Sequence, residues 1–335
     1  MNPEPVNAYK IPLGQLLMIG MPGTSLDPES LSLIKEHGVG NFILFTRNVK
    51  GGPDQTKRLC DDLNEACADA GLPPPLIAVD QEGGPVQRLG PPFWPEILSN
   101  QEVALSGNPE TKASVQAETA AKILNSLEIG LNLAPVLDLT PTGTEGVLKG
   151  RSYGSDPKKV SILGKKYIRT LQTNGVGATA KHFPGIGRVE KDPHFQRPVV
   201  TASKETLMHE MSPFRESVKA GVKAVMTSHV IFPTLDREYE PATFSKIIVD
   251  ELLRREMGFQ GLLLTDDLEM GGITGHGSLG EAAVKAILAG HDLLLICHKA
   301  QRAREALDAL DKAWSQGILN TGKIDLSLAR IAGLT

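Results

Sequence analysis

The stretch Pro75-Leu-Ile-Ala-Val-Asp80, running straight into Gln81-Glu82-Gly83-Gly84, decides the fold. Its four consecutive apolar residues, Leu76 to Val79, show no polar alternation. Such a run is too short for a helix and reads as a strand buried on both faces, the kind found in parallel sheets. It ends in a carboxylate followed by two glycines, so the strand stops where a polar loop starts. Seven more runs share this character: GQLLMIG (14–20), VGNFILF (39–45), LNLAPVLDL (131–139), VGATAKHF (176–183), KAVMTSHV (223–230), GLLLTDD (261–267) and HDLLLIC (291–297).

Helical spacing fills the intervals. Asp27 can cap a helix whose first residue is Pro28, and Gly38 can close it. Asp156-Pro157 repeats the start signal before KKVSILGKKYIRTLQTNG. Further helices are expected near 54–70, 112–129, 203–220, 245–257, 280–289 and 300–316. Alternating strands and helices imply parallel strands with right-handed crossovers. Eight units predict a single (β/α)8 TIM-type barrel of the α/β class, against the alternative of an open doubly wound sheet. No linker or composition shift divides the chain, so residues 1–335 are expected to form one barrel domain. The surplus over a minimal barrel goes to loops, of which 81–111 and 183–203 are the longest.

The 335 residues include 35 Lys+Arg and 39 Asp+Glu, a net charge of −4, which argues against nucleic acid or an anionic membrane as partner. Hydrophobic residues make up 41% and charged residues 22%, which excludes a disordered chain. The three cysteines, Cys60, Cys67 and Cys297, are odd in number and form no C-x-x-C pair, so neither a disulfide framework nor a zinc site is expected. A reducing compartment fits best. The N-terminal residues lack a basic segment followed by an apolar one, and no membrane-spanning run exists, so the cytoplasm is the expected location. A monomer without cofactor or metal is expected. Gly185-x-Gly187 lacks the third glycine and the strand–turn–helix setting of a dinucleotide fingerprint.

Polar residues cluster where the strands end. Asp80, Asp138, Lys181-His182, Ser228-His229 and Thr265-Asp266-Asp267 all fall toward strand C-termini. A barrel collects those ends around one mouth, where such enzymes keep their chemistry. Each residue alone could be a solvated loop or helix cap; a ring of five needs a further reason. After Lys181-His182 come Pro184, Gly185 and Gly187, which break regular structure, and then Asp192-Pro193-His194. A carboxylate beside a histidine can set its tautomer and raise its basicity. A plain surface loop is the alternative. The pair Phe93-Trp94 reads either as core or as a platform for a sugar face, and His276 as a loop residue.

Taken together, these residues resemble the single-domain bacterial β-N-acetylglucosaminidases of glycoside hydrolase family 3. Six motifs carry the resemblance, from about Gly14 to Gly317: Asp80-Gln-Glu-Gly-Gly with Arg88; Asn132-Leu-Ala-Pro-Val-Leu-Asp138; Arg151-Ser-Tyr-Gly-Ser-Asp-Pro157; Lys181-His-Phe-Pro-Gly; Asp192-x-His194; and Thr265-Asp266-Asp267-Leu-Glu-Met270. The resemblance implies Asp266 as nucleophile, His194 as acid/base and Asp192 as its orienting partner. It implies Asp80, Arg88, Arg151, Lys181 and His182 as the residues holding the terminal sugar, with Asp267 in a structural part and as the fallback nucleophile. Arg197 and His229 lie near family positions without being assigned a role.

The family commonly reads Lys-His-Phe-Pro-Gly-His-Gly, and this chain has Ile186 in place of the second His. Pro193 replaces a commoner Ser and should stiffen the Asp192–His194 geometry. Larger members carry a second domain that supplies an acid/base carboxylate. No such domain is expected here, so either the loop histidine takes that role or the protein has no acid/base. The implied reaction is retaining hydrolysis of a terminal β-linked N-acetylglucosamine, in the cytoplasm on anhydro-muropeptides from cell-wall recycling. A phosphorylase or a β-glucosidase of the same family would look alike in sequence, and a non-catalytic saccharide-binding barrel is the remaining alternative.

Overall fold

The computed structural model describes residues 12–141, 146–189, 198–273 and 277–334. Strands β1 (Leu17–Gly20), β2 (Asn41–Leu44) and β3 (Leu76–Val79) come first; a small hairpin, β4 (Gln81–Gly83) and β5 (Val86–Gln87), follows β3. Then come β6 (Leu131–Asn132), β7 (Gly177–Phe183), β8 (Ala224–Thr227), β9 (Leu262–Asp267) and β10 (Leu293–Ile296). All but the hairpin strands close into one parallel barrel in the order β1-β10-β9-β8-β7-β6-β3-β2. The eight expected strands are these eight, and the open sheet is excluded. Strands β2, β3, β8 and β10 are buried throughout, because side chains fill the barrel on one face and helices cover the other.

The start and stop signals work as local chemistry predicts. Asp27 Oδ1 accepts from the Glu29 and Ser30 amides at 3.0 and 3.2 Å, and helix α1 (Pro28–His37) ends at Gly38 with φ 71°. Helix α2 (Pro53–Asp69) buries Cys60 and Cys67 against the barrel.

Four expectations need correction. The segment 81–111 contains, besides the hairpin, helix α3 (Asn100–Leu105), set by a capping box between Ser99 and Glu102. The fourth apolar run pairs as β6 over only two residues. Pro135 has no amide to donate, and regular pairing gives way to single contacts such as Leu137 N to Lys181 O at 2.8 Å. The helix expected at 203–220 is two helices, Lys204–Glu210 and Ser212–Lys219, because Pro213 interrupts the amide ladder. A last helix, Thr321–Ala332, lies beyond the expected elements and ties to the barrel through Ser327 Oγ and Arg330 Nη1, each 2.8 Å from Asp292 Oδ1. Trp94 is core, whereas its neighbour Phe93 is exposed.

Candidate active site

Parallel strands in a closed barrel bring every strand C-terminus to one rim, so Asp80, Asp138, Lys181, His182 and Asp266 share a mouth. Lys181 is its hub. The ammonium lies 2.7 Å from Asp80 Oδ1 and 2.7 Å from Glu82 Oε1, on a side chain only 2% exposed. Arg151 forks onto Glu82, Nε to Oε2 at 2.8 Å and Nη2 to Oε1 at 2.7 Å. Arg88 Nη2 donates to Asp80 Oδ2 at 3.2 Å. Two carboxylates thus hold three cations in fixed geometry.

Burial alone would push the Asp80 carboxyl up; Lys181 and Arg88 outweigh it and hold the group at about 2. Burial also opposes the ionisation of Glu82, and Lys181 and Arg151 overcome it. Burial pulls Lys181 down, while Asp80 and Glu82 pull it further up. All of these groups are therefore charged at neutral pH. The mouth offers a fixed acceptor and fixed donors to a polyol, whose hydroxyls can serve both.

Glu82 is the member that sequence reasoning passed over, although the signal was present. It lies two residues after Asp80 in extended chain, so the two carboxylates share a face. Glu82→Gln removes the charge that Lys181 and Arg151 share, at a site where leaving charge unpaired is costly. Stability measured by urea unfolding is expected to fall by about 3 kcal/mol. Stability unchanged from the wild type would show that the cluster does not depend on this carboxylate.

Asp138, fully buried, fixes His182. Its Oδ2 accepts the His182 backbone amide at 3.1 Å and lies 2.7 Å from Nδ1, so Nδ1 carries the proton. Asp138 Oδ1 accepts the Ile186 amide at 2.9 Å. The family departure at Ile186 thus leaves this anchor intact, because the anchoring group is backbone. Gly187 follows against Leu139, where an added Cβ would come within 1.6 Å of the Leu139 carbonyl oxygen. Only glycine fits that approach.

Asp266 and Asp267 end β9 and differ in how they are held. Asp267 Oδ1 accepts the Glu269 amide at 3.1 Å and the Cys297 amide at 3.2 Å, and its burial pushes the carboxyl up. Asp266, less buried, receives one backbone bond, from the Asp267 amide to Oδ1 at 2.8 Å. That contrast favours Asp266 as the carboxylate free to react. His229 backs the pair: its Nε2 donates to the Asp267 carbonyl at 2.9 Å, and Nδ1 meets Thr243 Oγ1 at 2.7 Å. Burial lowers its basicity, so His229 is a neutral support for the strand end.

Asp192, His194 and Arg197 lie outside the described residues. The chain on either side of them is anchored. Arg188 forks onto Glu210, with Nε at 2.8 Å and Nη2 at 2.7 Å from Oε1. On the far side, the Ile231 amide donates to the Pro198 carbonyl at 2.9 Å. Among the described residues, no group of three or more His, Cys, Asp and Glu side chains is arranged to hold a metal ion. None of the described helices is long and apolar enough to cross a membrane.

A barrel mouth that presents locked acceptors and donors to hydroxyls, next to a more open carboxylate, has the chemistry of a glycoside hydrolase. Residues 10–334 match the glycosyl hydrolase family 3 N terminal domain, and the chain belongs to that family. A beta-hexosaminidase from Tolumonas auensis is 36% identical over 318 residues, covering 93% of this chain and 92% of its own. One from Thiobacillus denitrificans is 34% identical over 304 residues, covering 89% and 82%. Among solved structures, a family 3 β-N-acetylglucosaminidase from Paenibacillus sp. FPU-7 superposes with a TM-score of 0.93 at 38% identity. That match covers 98% of this chain and 62% of the other, so this chain spans less than two thirds of that protein. A β-N-acetylhexosaminidase from Beutenbergia cavernae gives 0.86 at 29% identity, with 96% of each chain covered.

Proposed function

We propose that this glycoside hydrolase is a retaining exo-β-N-acetylglucosaminidase. The observation that carries the reading is the contrast at the end of β9: Asp267 is tied down, while Asp266 has one backbone donor and ends a strand on the same rim as the charged cluster around Lys181. The names of the relatives support N-acetylglucosamine as the sugar.

In the first step, an Asp266 oxygen attacks the anomeric carbon of a terminal β-linked N-acetylglucosamine. His194 gives its proton to the departing glycosidic oxygen. In the second, neutral His194 takes a proton from water, which attacks the glycosyl–Asp266 ester, restoring the carboxylate with net retention. An imidazole of pKa about 6.5 can serve both steps near neutral pH, with Asp192 fixing its tautomer. Asp80, Arg88, Arg151, Lys181 and His182 grip the sugar, so that binding energy is expressed in the transition state. The barrel acts as one catalytic domain and a monomer, on N-acetylglucosamine-bearing muropeptides in the cytoplasm. The buried free thiols Cys60, Cys67 and Cys297 suit a reducing compartment.

A panel of aryl glycosides tests the reading. Turnover is expected on the β-N-acetylglucosaminide, with free sugar of retained configuration as product whether or not phosphate is present. A sugar 1-phosphate as the main product would make the protein a phosphorylase. Preference for the glucoside would make it a β-glucosidase, and binding without turnover would end the enzymatic reading.

A further inference from the structure

His298 follows β10 on the same rim, half exposed, and carries no role in the reaction described so far. Its Nε2 stands 3.2 Å from Asp267 Oδ2. The other Asp267 oxygen is held by two backbone amides; the His298 imidazole faces Oδ2 at ion-pair distance, and the Cys297 thiol also bonds this carboxylate. Asp267 in turn donates its own amide to Asp266 Oδ1 at 2.8 Å. The His298 ring is itself set on two sides. It stacks on Phe45 with centroids 5.9 Å apart and planes 26° from parallel, and its backbone amide donates to Glu269 Oε2 at 2.6 Å.

We propose that His298 is a positioning residue for the nucleophile, acting through Asp267. The inference rests on the reading of Asp266 as nucleophile. The imidazole clamps Oδ2, and the two amides clamp Oδ1. Asp267 is then fixed about its side chain, and its amide holds one Asp266 oxygen while leaving the other to face the sugar. Without the imidazole, a largely buried carboxylate loses one of the groups that hold it in place. Asp267 then takes up a proton or shifts, and a shift of this strand end displaces the backbone amide that aims Asp266. The effect belongs to the chemical step and not to sugar binding, because none of these contacts involves Asp80, Lys181 or Arg151.

Three variants separate the donor from the ring: His298→Ala removes both, His298→Phe keeps a ring to stack on Phe45, and His298→Gln keeps an N–H donor. On an aryl β-N-acetylglucosaminide, the Ala and Phe variants are expected to lose about tenfold in kcat with KM within about twofold of wild type. The Gln variant should recover most of the loss. Wild-type kcat in both the Ala and Phe variants, or a Gln variant as slow as Ala, would overturn the proposal. So would a loss confined to KM. Asp266→Ala assayed alongside separates the two layers: if it keeps turnover, the nucleophile reading itself fails; if it is inactive while His298→Ala is normal, only the positioning role falls.

Discussion

Asp266→Ala is expected to leave turnover of an aryl β-N-acetylglucosaminide at least about 10,000-fold below wild type, with the fold intact. In the proposed reaction this carboxylate forms the bond that defines the intermediate, and no other described residue at the rim is placed to replace it. Asp267 is adjacent, but its two oxygens are committed to the Glu269 and Cys297 amides and to His298. Binding should survive, because the proposed grip on the sugar comes from Asp80, Lys181 and Arg151, none of which bonds to Asp266. Thermal unfolding should be nearly unchanged, since Asp266 gives up one hydrogen bond to a backbone amide. Near-normal activity in this variant would remove the assignment.

The second large effect depends on the leaving group. His194→Ala should slow cleavage of substrates with poor leaving groups by about 100- to 10,000-fold, the usual worth of a positioned acid. A dinitrophenolate needs no proton to depart, so the first step on that substrate should remain fast. Water is then not activated in the second step, and the glycosyl–enzyme accumulates. The expected trace is a burst of dinitrophenolate near one equivalent of enzyme, followed by a slow steady rate. An equal loss on all leaving groups, without a burst, would deny the histidine an acid/base role.

How far the sequence foretold the protein can be followed residue by residue. The barrel was legible because eight short, largely apolar runs recur, several with polar residues at their C-terminal end; Leu76 to Val79 before Asp80 is the pattern in miniature. Less legible were features set by single backbone groups. Pro135 and Pro213 each lack an amide, and that absence shortened a strand and split a helix that apolar spacing had drawn as continuous. Among the candidate site residues, Asp80, Arg88 and Lys181 meet in direct contact. Arg151 joins them only through Glu82, a residue within a quoted motif whose own role was not read. His298 had no motif to mark it, because its part depends on how β10 lies beside β9. That adjacency is a property of the closed barrel.

The most direct test of the account is chemical trapping. A fluorinated N-acetylglucosaminyl fluoride that forms the intermediate quickly and releases it slowly should inactivate the enzyme with one sugar attached per chain. Peptide mapping by mass spectrometry is expected to find that sugar as an ester on Asp266. An adduct on Asp267 or any other side chain, or no adduct together with a product of inverted configuration, would contradict it.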